Sequence, residues 1–237
     1  MARYSIKDER GFNQIFVPVG STPFRAQRRF EWFIAEAERL GARRLLEIGC
    51  GTGEAAAHVA RSTEAEVVAV DISDVFLERA RSMHKAPNLR FEKFDLLGEN
   101  PLALGRFDLV YGNGILHHLV ARLDDVLRAL RATCNPGGGM AFIEPNFLNP
   151  YCAVIFGTRL GRRLAHLEPD EMAFTSGQLR RALPKAGWRS VRVVTRDFVL
   201  PGMPKSFVKP IVAIEPMLEA TALTRWLAQS HFISAEA

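Results

Sequence analysis

The residues whose types and spacing carry most chemistry are the glycines and acids of "LLEIGCGTGE". Gly49, Gly51 and Gly53 alternate there with Cys50 and Thr52, and Glu47 and Glu54 stand on either side. A loop of this kind lets a ligand approach bare backbone, because no Cβ intervenes. Further along, Asp71 ends the apolar run "EVVAVD", and Asp95 and Leu96 follow "FEKF". Asn113, Gly114 and two adjacent imidazoles, His117 and His118, share the stretch "YGNGILHHL", and Glu144 closes "MAFIE". A neutral imidazole is a proton acceptor near pH 7. Ionised carboxylates accept hydrogen bonds from hydroxyl and amino groups.

Three ligands compete for the glycine loop. A mononucleotide loop needs a lysine after its last glycine, whereas Gly53 is followed by Glu54. A dinucleotide fingerprint, GxGxxG, needs its third glycine where Glu54 stands, and a carboxylate there opposes the pyrophosphate that a helix start binds. The third ligand has adenosine at one end and a cation at the other. S-adenosylmethionine is such a molecule, and Glu47 attracts its positive sulfonium and amino groups. Asp71 lies about twenty residues beyond the glycines, where a carboxylate accepts from ribose hydroxyls. NAD has the same diol, so Asp71 alone does not separate the two cofactors. Ile72 is set to pack on an adenine. Asp95 either accepts from the adenine amino group or caps the turn that follows it.

These side chains must be brought to one edge by the elements that carry them. Phe30, Phe33, Ile34, Ala37 and Leu40 keep helical spacing, which predicts a helix closing an N-terminal cap over residues 1–40. Apolar runs then predict strands at 45–48, 67–70, 89–93, 107–111 and 140–144. Helices are expected at 54–61, after residue 74, and along Leu123, Val126, Leu127 and Leu130, the last ended by "NPGGG". This alternation implies a mostly parallel sheet covered on both faces. Ligands of such sheets bind beyond the carboxyl ends of the strands, so the loops after strands one, two and four should carry the chemistry. The cofactor-binding core is expected over 41–146, followed by a lid or substrate-binding insertion over 147–174, too long for a simple connection. Residues 175–237 complete the core. Thr175 and Gln178 have capping-box spacing for a helix ended by Gly187, "WRSVRVVT" and "HFISAE" are strands, and 201–229 is a second, partly helical excursion.

Composition narrows the classes. A formal charge of +5 and a pI near 9.4 raise the question of nucleic acid. However, Arg79, Arg81, Arg122, Arg128 and Arg131 lie on helices with apolar opposite faces, as solvated charge does, and no nucleic-acid partner is expected. Three cysteines without a CxxC pair indicate neither a disulfide framework nor a zinc site. His166 and His231 lack spaced partners, so no metal is expected. No apolar run approaches the roughly 20 residues of a membrane span. The N-terminus is too charged for a signal peptide, and a cytoplasmic location is expected. The charge and the 205–229 region are also compatible with a homodimer contact.

In order, "LLEIGCGTG", "VVAVDIS", "FEKFDLL", "FDLVYGNGILHHL" and "PGGGMAFIEPN" resemble the successive motifs of the class I S-adenosylmethionine-dependent methyltransferases. The likeness is to the small-molecule group that includes ubiquinone-pathway and natural-product enzymes. It spans Leu45 to Asn146 and, more loosely, Thr175 to Thr195. It implies a Rossmann-like, doubly wound α/β fold with seven strands in the order 3-2-1-4-5-7-6, the last antiparallel. It implies S-adenosylmethionine held by Glu47, Gly49, Cys50, Gly51, Asp71, Ile72, Asp95, Leu96, Asn113 and Gly114. The acceptor is then a small, partly apolar molecule methylated on oxygen, nitrogen or carbon. His118 is the favoured general base, with His117 packing or capping, because neighbours on a helix point about 100° apart. Methyl transfer from an activated sulfonium proceeds by proximity and alignment even without a base. Glu144 either binds the acceptor in the same crevice or makes a structural hydrogen bond. One of Arg25, Arg28 and Arg29 meets a ligand carboxylate or stays exposed. Tyr4, Phe12, Phe16, Tyr151, Phe156 and Phe174 are candidates for apolar walls. A non-catalytic adenosyl-binding module and a methyltransferase acting on RNA or protein are the alternatives; the absence of an N/D-PP-aromatic signature after strand four lowers the nucleic-acid one.

Overall fold

The computed structural model describes residues 20–237; Tyr4, Phe12 and Phe16 lie outside them. Helix α1, Thr22–Leu40, ends at Gly41, whose left-handed backbone (φ 58°) turns the next amides back onto Ala37 and Glu38. Glycine adopts that conformation without steric cost. Then come β1 Arg44–Ile48, α2 Glu54–Ser62, β2 Glu66–Asp71, α3 Asp74–Met83, β3 Leu89–Lys93 and β4 Phe107–Asn113. Two single 3₁₀ turns, Leu116–His118 and Val120–Arg122, lead into α4 Leu123–Ala132 and β5 Cys134–Pro145. The chain continues through α5 Pro150–Gly157, α6 Arg159–Leu164, α7 Ser176–Lys185, β6 Arg189–Arg196, α8 Lys205–Ala220, α9 Ala222–Arg225 and β7 Ser230–Glu236.

The strands form one sheet in the order β3-β2-β1-β4-β5-β7-β6. Strands β1 to β5 pair in parallel, and β7 runs antiparallel to both β5 and β6, as the resemblance implies. Alternate residues of each strand face opposite layers. Leu46, Val68 and Val110 meet α4 and α7 on one side. Leu45, Val67, Leu109 and Tyr111 meet α1, α2 and α3 on the other.

One expectation is corrected. Strand β5 starts at Cys134 instead of residue 140, so the glycine run is part of the strand. A Cβ on Gly138 would stand 2.8 Å from the Asp108 carbonyl oxygen, and the register with β4 shifts between Phe107 and Leu109. The glycines serve this close approach at a bulge. The insertion after β5 carries two short helices, α5 and α6; Pro150 sits in the first turn of α5 and Asn149 caps it by accepting from Cys152 N–H. The Thr175–Gln178 capping box is formed as expected. Among the described residues no helix is long and apolar enough to cross a membrane.

Candidate functional site

A cavity of about 610 Å³ opens at the carboxyl ends of β1, β2 and β4. Gly49, Asp71, Ile72, Asp95, Leu96, Asn113, Gly114, His117 and His118 all line it. Glu47, Cys50 and Gly51 do not, although they were expected to touch the cofactor. Glu47 pairs in register with Ala69 and Tyr111, so strand alternation turns it into the layer beneath α1. There it is 2% exposed and accepts from the Tyr111 hydroxyl at 3.3 Å. Burial pushes its carboxyl up to about 8. Cys50 is buried as well, and burial pushes its thiol up.

Gly51 acts indirectly. Its N–H donates to Asp71 Oδ2 at 2.9 Å, and Ser73 N–H donates to Oδ1 at 2.9 Å. Burial raises the Asp71 carboxyl, and these backbone donors oppose the rise. A carboxylate offers about four lone-pair sites, so both oxygens keep capacity for a diol. Asp95 is exposed, and its Oδ1 accepts from Leu97 N–H at 2.9 Å; it forms the turn cap that the sequence allowed. Gly49 has φ 67°, and a Cβ there would lie 2.6 Å from the Ile115 side chain. The loop after β4 therefore packs directly on the glycine loop.

Of the two roles open to Glu144, the structure forms the structural hydrogen bonds. Glu144 is 1% exposed and does not line the cavity. Oε1 accepts from Ile115 and Leu116 N–H at 3.0 and 2.7 Å, and Oε2 from His117 N–H at 3.3 Å. His117 Nδ1 approaches the same Oε2 at 2.9 Å. These donors consume the carboxylate, which makes Glu144 the anchor of the loop after β4.

Both His117 and His118 line the cavity, with ring centroids 4.1 Å apart and planes 35° from parallel. The single 3₁₀ turn that carries them does not separate the rings as a long α-helix would, because each ring is held by a different carboxylate. His118 Nδ1 lies 3.1 Å from Glu171 Oε1, in the insertion. Burial first, and then the neighbouring His118, lower the His117 pKa against the pull of Glu144. Burial raises the Glu171 carboxyl, but the hydrogen bond and charge of His118 bring it below the usual range. Ligand atoms of His117, His118 and Glu171 lie within 4.8 Å of one another, a grouping with metal-ligating atoms that the sequence did not reveal.

Of the three arginines near the start of α1, Arg25 and Arg29 line the cavity and Arg28 does not; Arg29 is the one that bonds to the end of β4. It donates to Asn113 Oδ1 at 2.9 Å and Ser230 Oγ at 2.7 Å. Burial and the adjacent Arg25 lower its pKa to about 10, so it stays cationic at neutral pH. Tyr151 and Phe156 join Ile155 and Leu167 as apolar walls, whereas Phe174 is 2% exposed in the core.

Residues 46–140 match the family described as "Methyltransferase domain". A tRNA U34 carboxymethyltransferase of Alcanivorax borkumensis is 31% identical over 130 residues, 54% of this chain and 39% of that protein. A trans-aconitate 2-methyltransferase of Deinococcus radiodurans is 37% identical over 108 residues, 43% of this chain and 37% of that protein. The matched stretches thus span about two-fifths of these relatives' length. An S-adenosylmethionine-dependent methyltransferase of known structure from Mesorhizobium loti superposes with TM-score 0.62 at 22% identity, covering 90% of this chain and 100% of that one.

Proposed function

We propose that the chain, whose residues 46–140 match a methyltransferase domain and whose sheet has the strand order of the class I S-adenosylmethionine-dependent fold, methylates a small, partly apolar molecule on oxygen, nitrogen or carbon. The observation that carries this reading is that one cavity is lined by the residues proposed for the donor and by those proposed for the acceptor. Gly49 and Asp71 line it together with the two imidazoles and the aromatic insertion. Its volume of about 610 Å³ falls within the range of small-ligand sites.

The donor's ribose hydroxyls bond to Asp71, its adenine packs on Ile72, and its carboxylate meets Arg29. The sulfonium then lies beside Asn113 and Gly114. The acceptor approaches in line from the insertion side. A bond forms to the methyl carbon as the sulfur–carbon bond breaks, and the electron pair stays on sulfur as a neutral thioether. Alignment of donor and acceptor supplies most of the acceleration. Where the acceptor must lose a proton, His118, oriented by Glu171, receives it. The two relatives are named for a tRNA nucleotide and for trans-aconitate; the apolar enclosure by Tyr151, Ile155 and Phe156 supports the smaller class.

Calorimetry with S-adenosylmethionine and NAD should give binding of the former only; preferential NAD binding overturns the cofactor reading. Incubation with isotopically methyl-labelled donor and a metabolite extract, followed by mass spectrometry, should give a labelled product. Tight donor binding with no labelled product from small-molecule, RNA or protein fractions would leave a binding module instead.

A further inference from the structure

We propose that His117, His118 and Glu171 form a divalent-cation site in the cavity wall, with open positions that take an oxygen of the acceptor. The proposal deepens the methyl-transfer reading and rests on it for the acceptor. The cation site itself rests on geometry alone. One ligand atom from each residue lies within 4.8 Å of the others, and all three residues line the cavity. Two donors each about 2.1 Å from one ion lie about 3.0 to 3.4 Å apart in octahedral to tetrahedral geometry. His118 Nδ1 and Glu171 Oε1, 3.1 Å apart, already have the spacing of neighbouring ligands.

The surroundings match such a site. His117 turns Nδ1 toward Glu144 at 2.9 Å, which leaves Nε2 for an ion. A buried carboxylate on the far nitrogen is the usual outer support of a metal-bound imidazole, fixing its tautomer and raising its basicity. Glu144 is itself fixed by the Ile115 and Leu116 N–H groups. Glu171 is 6% exposed, and its Oε1 also accepts from Glu168 N–H at 3.1 Å. Two imidazoles and one carboxylate suit manganese, iron, cobalt or zinc better than calcium, which prefers oxygen donors throughout. Three protein ligands leave coordination positions open toward the cavity.

An acceptor hydroxyl bound there loses its proton to water more readily. Its oxygen then forms the bond to the methyl carbon, and the sulfur–carbon bond breaks toward sulfur. With the ion in place, coordination replaces proton abstraction by His118, and the acceptor class narrows to hydroxyl or enol oxygen.

The test uses tag-free protein stripped with chelator and titrated with Co²⁺, read by visible d–d absorption. Bands should saturate at about one equivalent per chain. Glu171→Gln and His118→Ala should each weaken Co²⁺ binding at least about tenfold, while near-ultraviolet circular dichroism of both variants matches the parent as the check of folding. Absence of bands at millimolar-range Co²⁺ overturns the site and leaves His118–Glu171 a plain ion pair. Unchanged saturation in both variants overturns it equally. Cobalt bands in a chain that binds no S-adenosylmethionine would keep the site and refute methyl transfer; donor binding without bands would do the reverse.

Discussion

Two acids near the glycine loop play opposite parts, and strand alternation decides which. Asp71 ends β2 at the cavity, tied to Gly51 and Ser73 N–H. Removing its carboxylate in Asp71→Ala takes away both the diol acceptor and the anchor of the loop. At about 1.5–3 kcal/mol per charged hydrogen bond, donor affinity should fall roughly ten- to more than a hundredfold. An affinity unchanged by calorimetry would refute the ribose assignment. Glu47 faces the core instead, and burial raises its carboxyl from 4.5 to about 8. The folded chain therefore holds a proton that the unfolded chain releases, so the stability contribution of Glu47 is full below 4.5 and declines as pH rises toward 8. Thermal midpoints measured across that window should fall with pH for the parent and fall less for Glu47→Gln. Equal slopes for the two proteins would show that Glu47 does not titrate there.

At the scale of elements, the loop after β4 is organised from β5. Glu144 accepts from three successive backbone N–H groups, of Ile115, Leu116 and His117, and holds the His117 ring. Glu144→Ala strands those buried and part-buried donors and should destabilise the chain by on the order of 3 kcal/mol. Denaturant unfolding checks this, and a loss under about 0.5 kcal/mol would mean that water replaces the carboxylate. The strands and helices of the core were legible because their periods are local: apolar runs separated by helical stripes, with Asp71 and the glycines at strand ends. The start of β5 was not, because "NPGGG" has turn composition while its use depends on the backbone of β4 passing 2.8 Å from a would-be Cβ of Gly138. Glu171 was not legible for a similar reason. Its meaning comes from a tertiary contact with His118, made by an insertion without strand periodicity. Glu144 stayed open between two roles because its place at a strand end, as for Asp71, does not tell which donors reach it first.

At the scale of the whole molecule, α1 closes the site by ion pairs as well as by packing. Arg25 donates to Asp197 Oδ2 at 3.2 Å, Arg28 to Glu215 Oε2 at 2.7 Å, and Arg29 to Asp197, Ser230 and Asn113. The helix is thereby fastened to the segment after β6, to α8, to the start of β7 and to the end of β4. Asp197 is the hub: it is 4% exposed and sits at φ 79°. Asparagine tolerates that left-handed conformation better than alanine does, so two substitutions separate charge from backbone. Asp197→Asn leaves Arg25 buried without its counter-charge and should cost roughly 3–5 kcal/mol. Asp197→Ala adds backbone strain of about 1–2 kcal/mol to that loss. Urea unfolding of both variants measures the difference. Because Arg29 shares the hub and bonds to Asn113, donor affinity should fall in Asp197→Asn under conditions where the variant is still fully folded. Stability within about 0.5 kcal/mol of the parent, with unchanged donor binding, would mean that the clasp is ornamental and that apolar packing of Phe30 and Phe33 alone seats the helix.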